Sequence, residues 1–214
     1  MQVIDIGIRR RGLAAVLLEP RVSKELKGAD YEGDRLLLDR TILERCGISK
    51  GTLLSEDDVN QLVYVSECYR AKQKAIWHLS QSDHSEKGLY DKLCRSFTDK
   101  AAAFATKQMI EKGYVDDKKF AERFIAKQMA KNASVREIKN KLFLKGISAE
   151  IIKEQIEKID VWNNEVERAV ALINAKYKNK LSDENGVQKT FASLQRKGFS
   201  YSDIKSAFER LKLL

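Results

Sequence analysis

Residues 142–148 read Leu-Phe-Leu-Lys-Gly-Ile-Ser, and residues 194–200 read Leu-Gln-Arg-Lys-Gly-Phe-Ser. In both stretches an apolar helix end runs into a basic residue, then Gly, a large apolar residue and Ser. Gly readily adopts the left-handed conformation that ends a helix, and Ser caps the next helix with its side-chain oxygen. The apolar residue before the cap is spaced to pack five positions onward, as Ile147 would on Ile152. This repetition predicts a modular array of helices.

A shorter relative of this corner precedes the two copies. Residues 93–98 read Leu-Cys-Arg-Ser-Phe-Thr, with Ser96 where the other copies have Gly. The aligned residues Leu93, Leu142 and Leu194 lie 49 and 52 residues apart. Units of this length are too short to bury their apolar faces alone and are expected to stack on one another. The spacing predicts three-helix repeats at residues 68–115, 116–160 and 161–214.

The first part of the chain has a different pattern. Ile4, Ile6 and Ile8 alternate with other residues, which is typical of a strand. Residues 9–12 read as a turn, and an apolar run at 13–18 suits a partner strand. A third strand at 36–38 and a short helix at 41–45 are also predicted. Residues 1–67 are therefore expected to form a small β-containing module with the start of a linking helix. The predicted fold class is mainly α.

The sequence offers no catalytic or cofactor motif. It contains neither a Gly-x-x-x-x-Gly-Lys-Ser/Thr phosphate loop nor a Gly-x-Gly-x-x-Gly fingerprint. Its two histidines, His78 and His84, are poorly spaced for a shared metal. We therefore expect a protein that is not an enzyme and that needs no cofactor and no metal.

The sequence predicts neither a membrane-spanning helix nor a secretory signal. No apolar run approaches the roughly 18 residues that a membrane-spanning helix requires, and the N-terminus lacks the basic start of a secretory signal. Cys46, Cys68 and Cys94 are odd in number and far apart, which fits reduced thiols better than a disulfide framework. The sequence predicts a cytoplasmic, monomeric protein with no membrane partner.

Positive charge is concentrated in the second part of the chain. Residues 1–67 hold 10 Lys and Arg against 12 Asp and Glu, whereas residues 68–214 hold 30 against 19. The net charge is therefore −2 in the first part and +11 in the second, within a total of +9. A field of this sign attracts polyanions or an acidic protein surface.

A basic ridge is predicted on the helix that begins near Asp116. Its members recur every four residues: Lys119, Arg123, Lys127 and Lys131. Like charges at this spacing destabilise a helix by about 0.2–0.5 kcal/mol per pair, so the pattern favours a negatively charged partner. It does not distinguish nucleic acid from an acidic protein groove, and a solvated helix face is the alternative. The aromatic residues of the repeats fit helix core faces instead: Phe120, Phe124, Phe143, Phe191 and Phe208.

These motifs resemble the RecX family of regulatory proteins. The resemblance lies in Gly-Tyr-Val-Asp-Asp at 113–117 with Phe120-Ala121, in the stretch 134–148, and in residues 194–200 followed by Ile204. It covers about residues 68–214, and the first 67 residues look like an N-terminal extension that only some members carry. Ser96 departs from the pattern and puts the geometry of the first corner in question.

The resemblance implies tandem three-helix repeats in an elongated curved array. It also implies binding to the filament of the RecA recombinase on single-stranded DNA, with inhibition of ATP hydrolysis, strand exchange and coprotease activity. On this hypothesis the partner- or DNA-binding residues are Lys119, Arg123, Lys127, Lys131, Arg136, Lys139, Lys145, Arg196 and Lys197. The alternatives are a general DNA-binding or transcription-regulating helical protein, and an interaction scaffold without a nucleic-acid role.

Overall fold

The computed structural model describes residues 1–21, 29–158, 165–181 and 185–213. The chain divides into two compact units, Met1–Val115 and Asp116–Leu214. The predicted fold class, mainly α with a small β-containing N-terminal module, is confirmed. The finer division into segments 1–67, 68–115, 116–160 and 161–214 stays a prediction. Within the described ranges, no helix is both long and apolar enough to cross a membrane.

The first unit begins with an antiparallel sheet of four strands. They are β1 (Gln2–Ile8), β2 (Leu13–Glu19), β3 (Asp30–Glu32) and β4 (Arg35–Asp39), in the order β1-β2-β4-β3. The predicted strands are confirmed, and β3 is an addition. Its three residues, Asp-Tyr-Glu, are too few and too polar to show an alternating apolar pattern.

Two helices close over this sheet. Helix α1 spans Arg40–Arg45, and the long helix α2 spans Glu56–Gln81. The side chain of Ser55 accepts a hydrogen bond from the backbone N–H of Asp58, and the Asp58 carboxylate accepts one from the Ser55 backbone. This capping box fixes the start of α2. Apolar residues from the sheet, α1 and the first turns of α2 form one core.

The rest of α2 packs with two further helices, α3 (Glu86–Leu93) and α4 (Asp99–Glu111). Small side chains dominate this second core, and the fully buried alanines are Ala71, Ala75, Ala101, Ala102 and Ala105. The buried Glu67 carboxylate accepts hydrogen bonds from the backbone N–H of Thr98 at 2.6 Å and from its hydroxyl at 2.7 Å. Glu67 thereby ties α2 to the residue that caps α4.

The second unit contains two further sets of helices. The first set is α5 (Asp117–Met129), α6 (Val135–Leu144) and α7 (Ala149–Glu157). The second is α8 (Glu165–Leu172), α9 (Gly186–Arg196) and α10 (Tyr201–Arg210). Each set surrounds its own apolar core among the described residues. Helix α8 is short because it gives way to a π-helical turn at Ile173–Tyr177.

The two repeated corners have the same geometry. Gly146 and Gly198 have φ angles of +81° and +92°, in the left-handed region. The N–H of the next residue donates to a carbonyl five positions earlier, Ile147 to Leu142 and Phe199 to Leu194, each at 3.2 Å. This is the Schellman arrangement, which satisfies the last carbonyls of a helix. The corner predicted from the sequence is therefore confirmed at both places.

The residues around these corners also take their predicted roles. Ser148 and Ser200 cap α7 and α10 by accepting hydrogen bonds from backbone N–H groups. Ile147 and Ile152 are buried in one core, and Phe199 and Ile204 in another. The corner at Ser96 is built differently: the N–H groups of Ser96 and Phe97 both donate to the Leu93 carbonyl at 3.0 Å.

Candidate polyanion-binding surface

The predicted basic ridge on α5 is exposed, but it is shorter than the sequence suggests. Lys119, Arg123 and Lys127 are exposed on α5. Lys131 was expected on the same helix, and this is wrong because α5 ends at Met129. Asn132 takes a φ of +56°, and the N–H of Ala133 donates to the Gln128 carbonyl at 3.1 Å. Asn adopts the left-handed conformation more readily than most residues, so the helix ends here without a glycine.

Part of the charge on α5 is already balanced. The Lys119 ammonium lies 3.6 Å from the carboxylate of Asp116, which also caps the helix. The pKa of Asp116 is lowered mainly because its carboxylate accepts a hydrogen bond from the Lys119 backbone N–H. Asp116 is therefore a helix cap held in its charged form, as the sequence predicted.

Lys145 lies beside α5 although it follows α6 in the chain. Its ammonium is 5.9 Å from the ring centroid of Phe120 and 5.4 Å from that of Phe124. The two rings stack with centroids 6.0 Å apart. A cation at this distance from an aromatic face is held by the ring quadrupole. Lys145 thus belongs with the cations of α5.

A second group of predicted residues meets in a groove between α6 and the corner that follows α9. This basic groove has a volume of about 550 Å³, and its charged lining residues are Arg136, Glu137, Lys141, Arg196 and Lys197. Arg136 and Arg196 are 60 residues apart in the sequence. Lys139, half-buried on the same helix, does not line the groove. The fold therefore brings together three of the predicted site residues: Arg136 from α6 of the first helical set, and Arg196 and Lys197 from the end of α9 in the second set.

The cations of the basic groove differ in how they are compensated. The Lys141 ammonium bonds to the carboxylate of Glu137 at 2.7 Å and to the amide oxygen of Gln128 at 2.9 Å. Within the described residues, no carboxylate forms an ion pair with Arg136, Arg196 or Lys197. An excess of three positive charges is thus available to an incoming anion.

The second repeated corner forms the wall of the basic groove. The Ser134 hydroxyl donates to the Lys197 carbonyl at 2.6 Å and accepts from the N–H of Glu137 at 3.1 Å. A Cβ atom on Gly198 would lie 2.8 Å from the Ser134 hydroxyl and 2.9 Å from Cβ of Arg136. Only a glycine lets the corner after α9 lie this close to the start of α6. Gly198 therefore also allows Arg136 to lie beside that corner.

A buried ion pair reinforces the same junction. The Glu165 carboxylate accepts from the backbone N–H of Val135 at 2.7 Å and lies 3.0 Å from the Arg168 guanidinium. Both side chains are buried, with Glu165 8% and Arg168 6% exposed. A carboxylate at the start of α6 is favoured by the free N–H groups of that end. Sequence reasoning missed this contact because Glu and Arg three positions apart look like an ordinary surface pair.

Two large apolar side chains are exposed at the end of α6, and one of them, Leu144, lines the basic groove. Phe143 is 70% exposed and Leu144 is 78% exposed at the end of α6. The expectation that Phe143 belongs to the core is therefore wrong, whereas Phe120 and Phe208 are buried as predicted. The last turn of α6 buries Leu142 inward, which leaves the two following residues on the outer side. Large exposed apolar residues beside cations are typical of protein-binding surfaces.

Side chains that bind metals do not cluster in the part of the chain that the structure describes. No group of three or more His, Cys, Asp or Glu side chains there could hold a metal ion. The basic groove offers guanidinium and ammonium donors, together with one carboxylate already paired to a lysine. Such a set can bind phosphate or carboxylate groups.

Fold and surface together define a class: a helical repeat protein with a basic groove and a β-containing N-terminal module. Sequence comparison supports a particular family within it. A family model for the third three-helix domain of RecX matches residues 163–208. "Regulatory protein RecX" of Streptococcus sanguinis strain SK36 is 28% identical over 186 residues, covering 85% of this chain and 71% of that protein. The protein of the same name from Clostridium perfringens strain SM101 is 29% identical over 178 residues, covering 81% and 83%.

Solved structures share the fold. The crystal structure of a regulatory protein RecX has a TM-score of 0.64, with 17% identity and coverage of 97% of this chain and 98% of that chain. The crystal structure of RecX from Lactobacillus salivarius has a TM-score of 0.57, with 25% identity and coverage of 70% and 99%. The chain is therefore similar to RecX regulatory proteins in its third three-helix domain, over most of its sequence and in its fold.

Proposed function

We propose that this protein binds the filament that the RecA recombinase forms on single-stranded DNA, and that it inhibits the filament without catalysing a reaction itself. Inhibition extends to ATP hydrolysis, strand exchange and coprotease activity, so the protein restrains recombinational repair and the SOS response. It acts in the cytoplasm as a monomer. Similarity to RecX regulatory proteins supports RecA as the partner.

The basic groove is the observation that carries the proposal at the level of residues. Arg136, Arg196 and Lys197 converge there without carboxylate partners among the described residues. A nucleoprotein filament presents DNA phosphates and protein carboxylates in a regular series, and either can satisfy these donors. The exposed Leu144 adds apolar area to the groove, which favours a protein component in the bound surface.

The ratio of inhibitor to RecA distinguishes a protein that inhibits by occupying sites on the filament. A protein that blocks the growth or the motion of a polymer acts at fewer copies than the polymer has subunits. We therefore expect RecA's DNA-dependent ATPase to fall when this protein is added well below one copy per RecA subunit. The measurement is a titration of ATP hydrolysis by RecA preassembled on single-stranded DNA.

The same titration separates the proposal from simple competition for DNA. Inhibition that disappears when single-stranded DNA is supplied in excess would show that the protein only removes free DNA, as a general DNA-binding protein does. Inhibition that persists supports contact with the filament. Unchanged ATPase at every concentration tried would contradict the proposal.

A further inference from the structure

The end of α2 carries an exposed cluster of rings and cations that lies in the first unit and takes no part in the basic groove. Trp77 is 51% exposed. The Lys74 ammonium lies 4.0 Å from the centroid of the Trp77 ring, and the His78 ring packs against the same indole at 4.9 Å with an interplanar angle of 65°. A half-exposed tryptophan held in place by two neighbours has lost side-chain freedom before any ligand arrives.

The segment after α2 extends this cluster. The rings of His78 and His84 are perpendicular, with centroids 6.0 Å apart. The Lys92 ammonium of α3 lies 3.5 Å from Nε2 of His84. Three rings in series, those of Trp77, His78 and His84, therefore have an ammonium group at each end, Lys74 at one and Lys92 at the other.

Several positive charges bear on one imidazole in this cluster. The pKa of His78 is lowered, first by burial and then by the charges of Lys92, Lys74 and Arg95. These cations come from α2, from α3 and from the turn after α3. Their convergence raises the energy of the isolated protein, because like charges repel, and a bound anion relieves that repulsion.

We propose that this cluster, Trp77 with His78, Lys74, Lys92 and Arg95, is a contact site for single-stranded nucleic acid. A base stacks on the exposed part of the Trp77 indole, and the flanking phosphates lie next to the three cations. Aromatic rings set among cations are the general means of holding single strands, because every base offers a flat face. Duplex DNA keeps its bases stacked on one another and leaves Trp77 without a partner. The site needs no RecA and is separate from the basic groove.

Trp77 itself can report the binding. The chain contains two tryptophans, Trp77 and Trp162, so Trp162→Phe leaves Trp77 as the only one. In this background an oligothymidylate of about 15 nucleotides is expected to quench the fluorescence of Trp77 at low salt. Further replacement Trp77→Ala, with binding followed by the anisotropy of a labelled oligonucleotide, should weaken affinity about tenfold, or about 1.4 kcal/mol. Trp77→Phe, which keeps a ring, should retain most of it.

Matched variants distinguish a site from general attraction. Phe104→Ala removes another exposed ring of the first unit, 43% exposed on α4, and should leave affinity unchanged. Lys74→Gln and Lys92→Gln should each reduce the slope of log affinity against log salt by about 0.7.

Three outcomes would overturn the site. The first is an affinity of Trp77→Ala for the oligonucleotide equal to that of the protein with Trp77. The others are quenching of Trp77 by a duplex of the same length, or by inorganic phosphate, equal to that by the single strand. Charge reversal of the basic groove should leave the Trp77 signal in place. Its loss in that variant would show that oligonucleotide binds elsewhere, so failure of this site and failure of the RecA proposal give different results.

Discussion

At the residue scale, two separate properties of the second repeated corner require glycine at position 198. Its φ of +92° is unfavourable for any residue with a Cβ. Its neighbours, Ser134 and Arg136, also occupy the space that a Cβ would need. Gly113, which ends α4 with a φ of +72°, has open space around it. Substitutions at these two glycines can therefore distinguish the cost of a left-handed backbone from the cost of steric overlap.

We expect Gly113→Ala to lower the free energy of unfolding by about 1 kcal/mol, from left-handed strain alone. Gly198→Ala should lower it by about 2–4 kcal/mol, because overpacking adds to the strain. Urea denaturation followed by circular dichroism measures both. Equal losses in the two variants would mean that the packing of Gly198 against α6 contributes nothing.

The motifs that sequence reasoning predicted correctly are those with local causes. A helix end at Gly198, a cap at Ser200 and a staple from Phe199 depend on residues within a few positions of one another. Exposure of Phe143 depends instead on what the outer side of α6 meets, and no local pattern reveals this. The end of α5 at Met129 had a local signal in Asn132, an asparagine able to take the left-handed conformation, which the four-residue spacing of the cations obscured.

At the scale of elements, the buried Glu165–Arg168 pair joins the start of α8 to the start of α6. Removing the charge of Glu165 leaves Arg168 buried beside a neutral group, and unpaired buried charge is costly. The exposed pair of Glu167 with Arg210 provides a comparison two positions away.

Glu165→Gln is expected to destabilise the protein by about 3–5 kcal/mol, and Glu167→Gln by at most about 1 kcal/mol. Thermal or urea unfolding at neutral pH provides the measurement. A small effect at Glu165 would contradict the role assigned to this pair in fixing the junction beside the basic groove.

On the scale of the whole molecule, function depends on surfaces that chain topology assembles. The sequence showed that the positive charge lies after residue 67, and it identified Arg136, Arg196 and Lys197 individually. It could not show that these three line one groove while Lys145 lies over Phe120 and Phe124. Such groupings arise from contacts between residues far apart in sequence, which periodicity does not encode.

Charge reversal tests which basic surface binds the filament. Arg136→Glu with Arg196→Glu should reduce inhibition of RecA's ATPase at least about tenfold, on the order of 1.4 kcal/mol, because repulsion replaces attraction inside the groove. Arg123→Glu with Lys127→Glu makes the same change on α5 and tests the ridge. Helical content by circular dichroism should stay unchanged in both.

The matched control for this comparison is Lys153→Glu with Lys205→Glu. It alters the net charge equally, at exposed positions of α7 and α10 that lie outside the basic groove. Equal loss of inhibition in all three double variants would indicate attraction by net charge alone. Full inhibition by the groove variant would show that the groove is not the binding surface.

The alanine-lined contact between α2 and α4 tolerates few substitutions during evolution. Ala71, Ala75 and Ala105 have no exposed surface, and any longer side chain there must push two backbones apart. In a leucine-rich core one apolar side chain can replace another of similar volume. In an alanine-lined contact few residues other than glycine and serine are small enough to replace alanine. Relatives that diverge at these alanines should therefore show compensating changes across the contact, whereas divergence at the leucines can accumulate singly.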